Sequence, residues 1–178
     1  MILSGKRIVQ EVGNGSIQIC PFVLERVNPN SYNLRLHDTL LVYEDRVLDP
    51  KRDNPYRHVV IPKDGLIIEP STLYLGRTIE RTQTIRFVPM IEGRSGIGRL
   101  GICVHATAGF GDIGFAGFWT LEIFCIQPVR IYAGMEICQI YFHEIAGEYD
   151  LYNGKYNHND GVQTSQLYRE LDSKEDGT

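Results

Sequence analysis

The chain has no Cys-x-x-Cys pair, no Gly-Lys-Ser or Gly-Lys-Thr, no long apolar run and no excess of basic residues. Each absence removes a class of function. Zinc sites draw on closely spaced cysteines and histidines. Here Cys20, Cys103, Cys125 and Cys138 lie far apart among apolar neighbours. They read as reduced core thiols of a cytoplasmic protein, and no metal site is expected from them. A bilayer-spanning helix needs about 20 apolar residues, so no membrane partner is expected. The opening Met1-Ile2-Leu3-Ser4-Gly5-Lys6 lacks the shape of a signal peptide. A net charge of −4 argues against broad nucleic-acid binding, which usually shows as a basic excess. Any polyanion must therefore find a local pocket. The missing Gly-Lys-Ser or Gly-Lys-Thr removes the P-loop. Gly96-Ile97-Gly98-Arg99-Leu100-Gly101 does match G-x-G-x-x-G. That fingerprint has meaning only inside a βαβ unit, and the chain has no alternation of strand and helix patterns.

What the chain does have is a concentration of glycine. The 25 residues from Gly93 to Gly117 hold eight of its 18 glycines, which suggests sharp turns or close approaches of backbone. Its 178 residues fit one domain. Leu3 to Val12 reads as a short helix capped by Ser4 and ended at Gly13. Ser31 to His37, Thr39 to Tyr43, His58 to Ile61, Leu66 to Ile68 and Thr72 to Ile79 read as short strands. In Phe118 to Ile126 the odd positions Trp119, Leu121, Ile123 and Cys125 are apolar, so they share one buried face and Thr120 and Glu122 share the other. Glu136 to Phe142 is a further strand, with Gln139 between apolar neighbours. Many short strands and one short helix indicate a mainly β fold, a barrel or a double-sheet jelly roll. From Gly147 the composition turns polar and tyrosine-rich. The expected division is a β domain over residues 1–152 and a flexible tail over 153–178, with disorder in the last eight residues.

Several residues carry chemistry. Ser95 and Arg99 are four apart, so one helical turn starting at Ser95 would place them on one face and offer free backbone N–H groups to phosphate. Arg94 and Arg99 supply charge and bidentate geometry; surface arginines in a glycine loop remain the other reading. Asp112 lies among glycines and can be a turn former or a site carboxylate. Glu122 sits mid-strand, where glutamate is disfavoured. A carboxylate withdrawn from water can take up and then return a proton. His105 reads by default as a hydrogen-bonded core histidine. Lys155 with Tyr152 and Tyr156 can close a polar tail over phosphate, or be a solvated terminus.

Together these residues resemble the dCTP deaminases of the trimeric dUTPase superfamily. The resemblance runs from Met1-Ile2-Leu3-Ser4 through Ser31-Tyr32-Asn33-Leu34-Arg35-Leu36 to Gly154-Lys155-Tyr156. It is strongest in Glu92-Gly93-Arg94-Ser95 with Arg99-Leu100-Gly101, His105-Ala106-Thr107-Ala108-Gly109-Phe110, Asp112-Ile113-Gly114-Phe115 and Thr120-Leu121-Glu122. It implies a distorted jelly roll of the dUTPase-like type, assembled as a homotrimer with sites shared between subunits. It implies hydrolytic loss of the 4-amino group of dCTP as ammonia, without zinc, with Mg²⁺ accompanying the triphosphate. By the same resemblance Glu122 shuttles the proton, and Ser95 and Arg99 position the water. Arg94 and the backbone of Ser95, Gly96, Ile97 and Gly98 hold phosphates. Asp112 lies against the deoxyribose, and Thr120 and Leu121 present backbone groups to the base. Gln139, Tyr152, Lys155 and Asn159 contact the triphosphate. His105 and Thr107 fall in the stretch linked to inhibition by dTTP.

This sequence departs from the family pattern at four positions. Gly96 stands where a second serine is common. Asn159 stands where a phosphate-binding glutamine is usual. Asn33 and His37 replace an aspartate and a glycine. Ala108-Gly109-Phe110 resembles members that carry dUTP on to dUMP, and in such an enzyme Asp112 would orient the second water. The rival readings are a plain dUTP diphosphatase, which lacks a glutamate at the position of Glu122, a non-catalytic pyrimidine-nucleotide binder and a carbohydrate-binding jelly roll.

Overall fold

The computed structural model describes residues 1–175. Helix α1 (Gly5–Gly13) forms where expected. The Arg7 N–H donates to Ser4 Oγ at 3.3 Å, and Ile8 and Glu11 face inward. It ends at Gly13 as expected, with Asn14 as its cap, and beyond it Gly15 takes a φ of +82° that a side chain would resist.

The rest is mainly β. Strands β1 (Ile17–Cys20), β2 (Tyr32–Arg35), β3 (Thr39–Tyr43), β4 (Tyr56–Val60) and β5 (Leu66–Ile68) precede two longer ones, β6 (Tyr74–Thr84) and β7 (Phe87–Gly93). One-turn helix α2 (Ser95–Gly98) and β8 (Ile102–Cys103) lead to β9 (Ala116–Cys125), β10 (Val129–Ile131) and β11 (Glu136–Glu144). One sheet runs β4-β3-β6-β9-β8, with β1 also pairing β6; a second runs β2-β11-β7; β5 and β10 form a ribbon. All pairings are antiparallel. The G-x-G-x-x-G match spans α2 between two strands of different sheets, so no βαβ unit surrounds it.

A single buried cluster joins all three sheets. It takes Leu121 and Ile123 from β9, Leu34 and Ile140 from β2 and β11, and Ile68 and Ile131 from the ribbon. The alternation expected in β9 holds: Trp119, Leu121, Ile123 and Cys125 are buried, and Thr120 and Glu122 are half-buried on the opposite face. Glu80 is fully buried. It accepts the Arg35 backbone N–H at 2.8 Å and its Nε at 2.7 Å, so the carboxylate is both paired and hydrogen-bonded.

The cysteine expectation needs correcting. All four thiols are free, yet only Cys125 and Cys138 are buried; Cys20 is exposed at the end of β1 and Cys103 is half-buried. The edge position of β1, with every second residue facing out, explains Cys20. Burial pushes the Cys138 thiol well above the ordinary range.

The tail is tied to the domain. Tyr152 N–H donates to Ile113 O at 2.6 Å, and Asn157 and Asn159 bond the start of β9. Helix α3 (Tyr168–Glu175) follows, within the stretch whose end was expected to be disordered; residues 176–178 lie outside the described residues.

Candidate active site

A cavity of about 630 Å³ opens between the outward face of β9, the loop 106–115 and the tail. That volume suits a nucleotide-sized ligand. Thr107, Asp112, Thr120, Glu122, Tyr152 and Asn159 all line it. β9 supplies the two central polar groups because a strand projects every second residue to the same side.

Glu122 is paired across the sheet with Leu75, and its backbone N–H donates to Val104 O at 2.9 Å. Its Oε2 accepts the Ala106 N–H at 2.7 Å. The carboxylate is thus half-buried rather than buried, aimed at the cavity and fixed by one backbone donor. Its second oxygen has no hydrogen-bond donor among the described residues. Such a group can hold and return a proton without having to rotate. Asp112 is exposed on the cavity's far wall, in the turn closed by Phe115 N–H to Asp112 O at 3.2 Å.

The walls are aromatic, and apart from Tyr156 these rings carry no site role in the sequence analysis. Phe115 packs on Trp119 with ring centroids 4.9 Å apart, and Phe110, Phe118, Tyr43 and Tyr156 complete them. Trp119 was readable as core from its position in β9, but its second role at the cavity floor depends on loop 109–115 folding over it. Gly111 permits this: a Cβ there would meet the Trp119 ring at 2.3 Å.

The tail reaches the same cavity. Gln163 N–H donates to Thr120 Oγ1 at 3.2 Å, and Ser165 N–H to the Tyr43 hydroxyl at 3.0 Å. Asn159, expected to contact phosphate, lines the cavity with its side chain bonded to backbone. Its Oδ1 accepts Phe118 N–H at 3.0 Å, while both amide hydrogens go to Phe118 O and Tyr156 O at 3.1 Å. The side chain pairs with Phe118 as a neighbouring strand would. Gly117 is required beside it, since a Cβ would meet Asn159 at 2.8 Å. Lys155 is bonded to Glu170 and stacks over the Tyr156 ring.

A second group of expected residues does not line this cavity. Ser95, Gly96 and Gly98 are exposed on α2, Ile97 is buried, and Arg99 N–H bonds Ser95 O at 3.1 Å, which places the two side chains one turn apart as expected. Gly96 and Gly98 have no positive φ, and a Cβ on either would meet nothing within 4 Å. Their place in the sequence is therefore not explained by packing within one chain. Arg94 bonds Glu136, and Gln139 donates to Gly93 O at 3.4 Å and accepts from Ser31 Oγ at 2.8 Å. Leu121 faces the core. His105 is half-buried with Nε2 3.4 Å from Glu92 Oε2, and its Nδ1 is buried with no hydrogen-bond partner among the described residues. The expected fully bonded core histidine is therefore only half realised. One chain thus presents the expected residues in two separate groups: a cavity with the carboxylates, and an outer edge with the serine and the arginines.

Comparison with known proteins identifies the family. A family model described as dCTP deaminase-like matches residues 2–145. A protein of Hathewaya histolytica named dCTP deaminase, dUMP-forming, is 60% identical over 173 residues, covering 97% of this chain and 100% of that protein. One of the same name from Clostridium beijerinckii is 58% identical over 173 residues, covering 97% and 99%. Among solved structures, 2'-deoxycytidine 5'-triphosphate deaminase from Agrobacterium tumefaciens superposes with a TM-score of 0.63 at 19% identity, over 79% of this chain and 47% of that longer one, which speaks for the fold. With Glu122, Arg94, Ser95, Arg99 and Asp112 all inside the matched span, the chain belongs to the dCTP deaminase-like family.

Proposed function

We propose that this protein deaminates dCTP and carries the product on to dUMP. The observation that carries the reading is Glu122: a half-buried carboxylate in a nucleotide-sized cavity, with one oxygen fixed by a backbone donor and the other available. In the first step water adds to C4 of the cytosine ring, Glu122 takes the water's proton and returns it to the amino nitrogen, and ammonia leaves. In the second step water attacks the α-phosphorus and diphosphate leaves, with Asp112 orienting that water. The balance is dCTP and two waters giving dUMP, diphosphate and ammonia. The names of relatives that align over nearly their whole length support the two-step product.

The separation of the two half-sites supports assembly as a homotrimer, in which Arg94, Ser95 and Arg99 of one copy complete the cavity of another. Among the described residues no three His, Cys, Asp or Glu side chains cluster as metal donors. In this reading Mg²⁺ therefore travels with the triphosphate as part of the substrate. Ser95 and Arg99 position the first water, and Gln139, Tyr152 and Lys155 hold phosphates once the tail has shifted. dTTP, as an inhibitor, would act at the loop of His105 and Thr107. Activity in the cytoplasm follows from the substrate.

The test is incubation with dCTP and Mg²⁺ followed by nucleotide chromatography and an ammonia assay. dUMP with ammonia is expected. dUTP as the end product would remove the second step. Unchanged dCTP would overturn the proposal.

A further inference from the structure

We propose that Glu136 is a positioning residue for the substrate's triphosphate, acting through Arg94. This rests on the reading of Arg94 as a phosphate contact. The starting observation is a β-bulge. β11 pairs with β2 through Glu136 opposite Arg35 and then Cys138 opposite Leu34, so one extra residue enters β11 between them. Ile137 and Cys138 are consequently both buried, although they are consecutive. Strict alternation would send Glu136 and Gln139 to opposite faces. The bulge re-aims Glu136, a known use of such irregularities beside functional sites, and both side chains emerge half-buried.

Four donors and acceptors then converge. Arg94 Nη1 lies 2.9 Å from Glu136 Oε2 and donates to the Glu136 backbone oxygen at 3.2 Å. Asn33 Nδ2 donates to the same Oε2 at 3.0 Å. Arg26 Nε stands 3.5 Å from Oε1. Asn33 in turn accepts from Asn28, which also donates to Ser31, and Ser31 bonds Gln139. Glu136 thus faces two guanidinium groups.

The arrangement has a directional consequence. Glu136 engages only one of Arg94's nitrogens; the others have no partner among the described residues, and the side chain is 37% exposed. A guanidinium held at one corner presents its remaining N–H groups in a fixed fork, the geometry that binds phosphate oxygens best. Arg26 adds a second positive charge behind it, with Nε and Nη1 buried and without hydrogen-bond acceptors. Without the carboxylate the two guanidiniums would repel each other and Arg94 would lose its orientation.

Steady-state kinetics on the full chain test this. Glu136→Gln keeps shape and removes charge, and it should raise KM for dCTP about tenfold, the order of one lost charge-assisted bond, while kcat stays within about twofold. The decisive arm is a cycle with Arg94→Gln. If Glu136 acts through Arg94, the double variant has the KM of Arg94→Gln alone; a purely structural Glu136 would multiply the two losses. Multiplied losses, or an unchanged KM in Glu136→Gln, overturn the proposal. Should Glu136→Gln fail to fold by thermal melting, Glu136→Asp, which keeps the charge and shortens the reach, carries the same cycle. An inactive wild-type protein would instead overturn the functional reading on which this one rests.

Discussion

Glu122 owes its place to two independent facts, a strand register and a loop. The register turns it to the cavity face, and Ala106 N–H holds Oε2 at 2.7 Å. Glu122→Gln keeps the size and loses the proton, so ammonia release should fall about 10²- to 10⁴-fold, the range for a general acid-base group. Binding of dCTP, followed by calorimetry, should persist; retained turnover would remove Glu122 from the mechanism. Asn159 makes the contrasting case. It has a structural part of its own, because Asn159→Ala would leave Phe118 N–H and C=O without partners, at about 1–3 kcal/mol each. Lower melting temperature with easier proteolysis of the tail is the expected result, and an unchanged melting curve would contradict the clamp. From the sequence, Glu122 stood out because it lies mid-strand, where glutamate is disfavoured. The clamp did not, since no local pattern says that an asparagine 41 positions away will imitate a β-bridge.

Elements differ in how much they depend on their surroundings. α1 was legible from its cap and its apolar spacing, and the structure places Ser4, Ile8 and Gly13 accordingly. What the pattern did not expose is Glu11, 1% exposed on the inward face and paired to Arg7. Burial pushes its carboxyl up, but Asn14, Ser16 and Arg7 together outweigh this and hold it below the usual carboxylate range. A depressed folded value means the stabilisation is present above the unfolded carboxylate range and lost as pH falls through the folded value. Melting followed down the acid limb should therefore show a loss that Glu11→Gln lacks, the variant being less stable at neutral pH and flatter towards acid. Equal acid slopes would contradict this. β11 is the opposite case. Its existence was legible, but its bulge was not, because the extra residue is specified by pairing with β2 rather than by composition.

For the whole molecule, the separation of the half-sites makes a prediction that single variants cannot. Ser95→Ala and Glu122→Gln should each be nearly inactive. If each cavity is completed by a neighbouring copy, mixing the two after dissociation and reassociation should restore activity. In a cyclic homo-oligomer, random assortment at each shared site gives about a quarter of wild-type activity. A mixture as inactive as its components would place both residues in one chain's site. The open space around Gly96 and Gly98 belongs to the same scale. Within one chain nothing requires those glycines, whereas Gly111 and Gly117 are required by Trp119 and Asn159. The glycine run thus divides in two, its first part facing outward and its second packing loop and tail onto β9.

The sequence alone determined the mainly β class, the inward face of β9, the one-turn helix at Ser95 and the residue types of the chemistry. These follow from short-range periodicity, capping and motif spacing, which a linear chain displays directly. Only the tertiary structure decided that Glu122 and Asp112 share a cavity while Arg94, Ser95 and Arg99 stand apart from it. It also decided that Asn159 bonds the backbone of Phe118 and that a bulge turns Glu136 towards Arg94. Those facts depend on pairing between strands distant in sequence, and register shifts by whole residues without changing any local pattern.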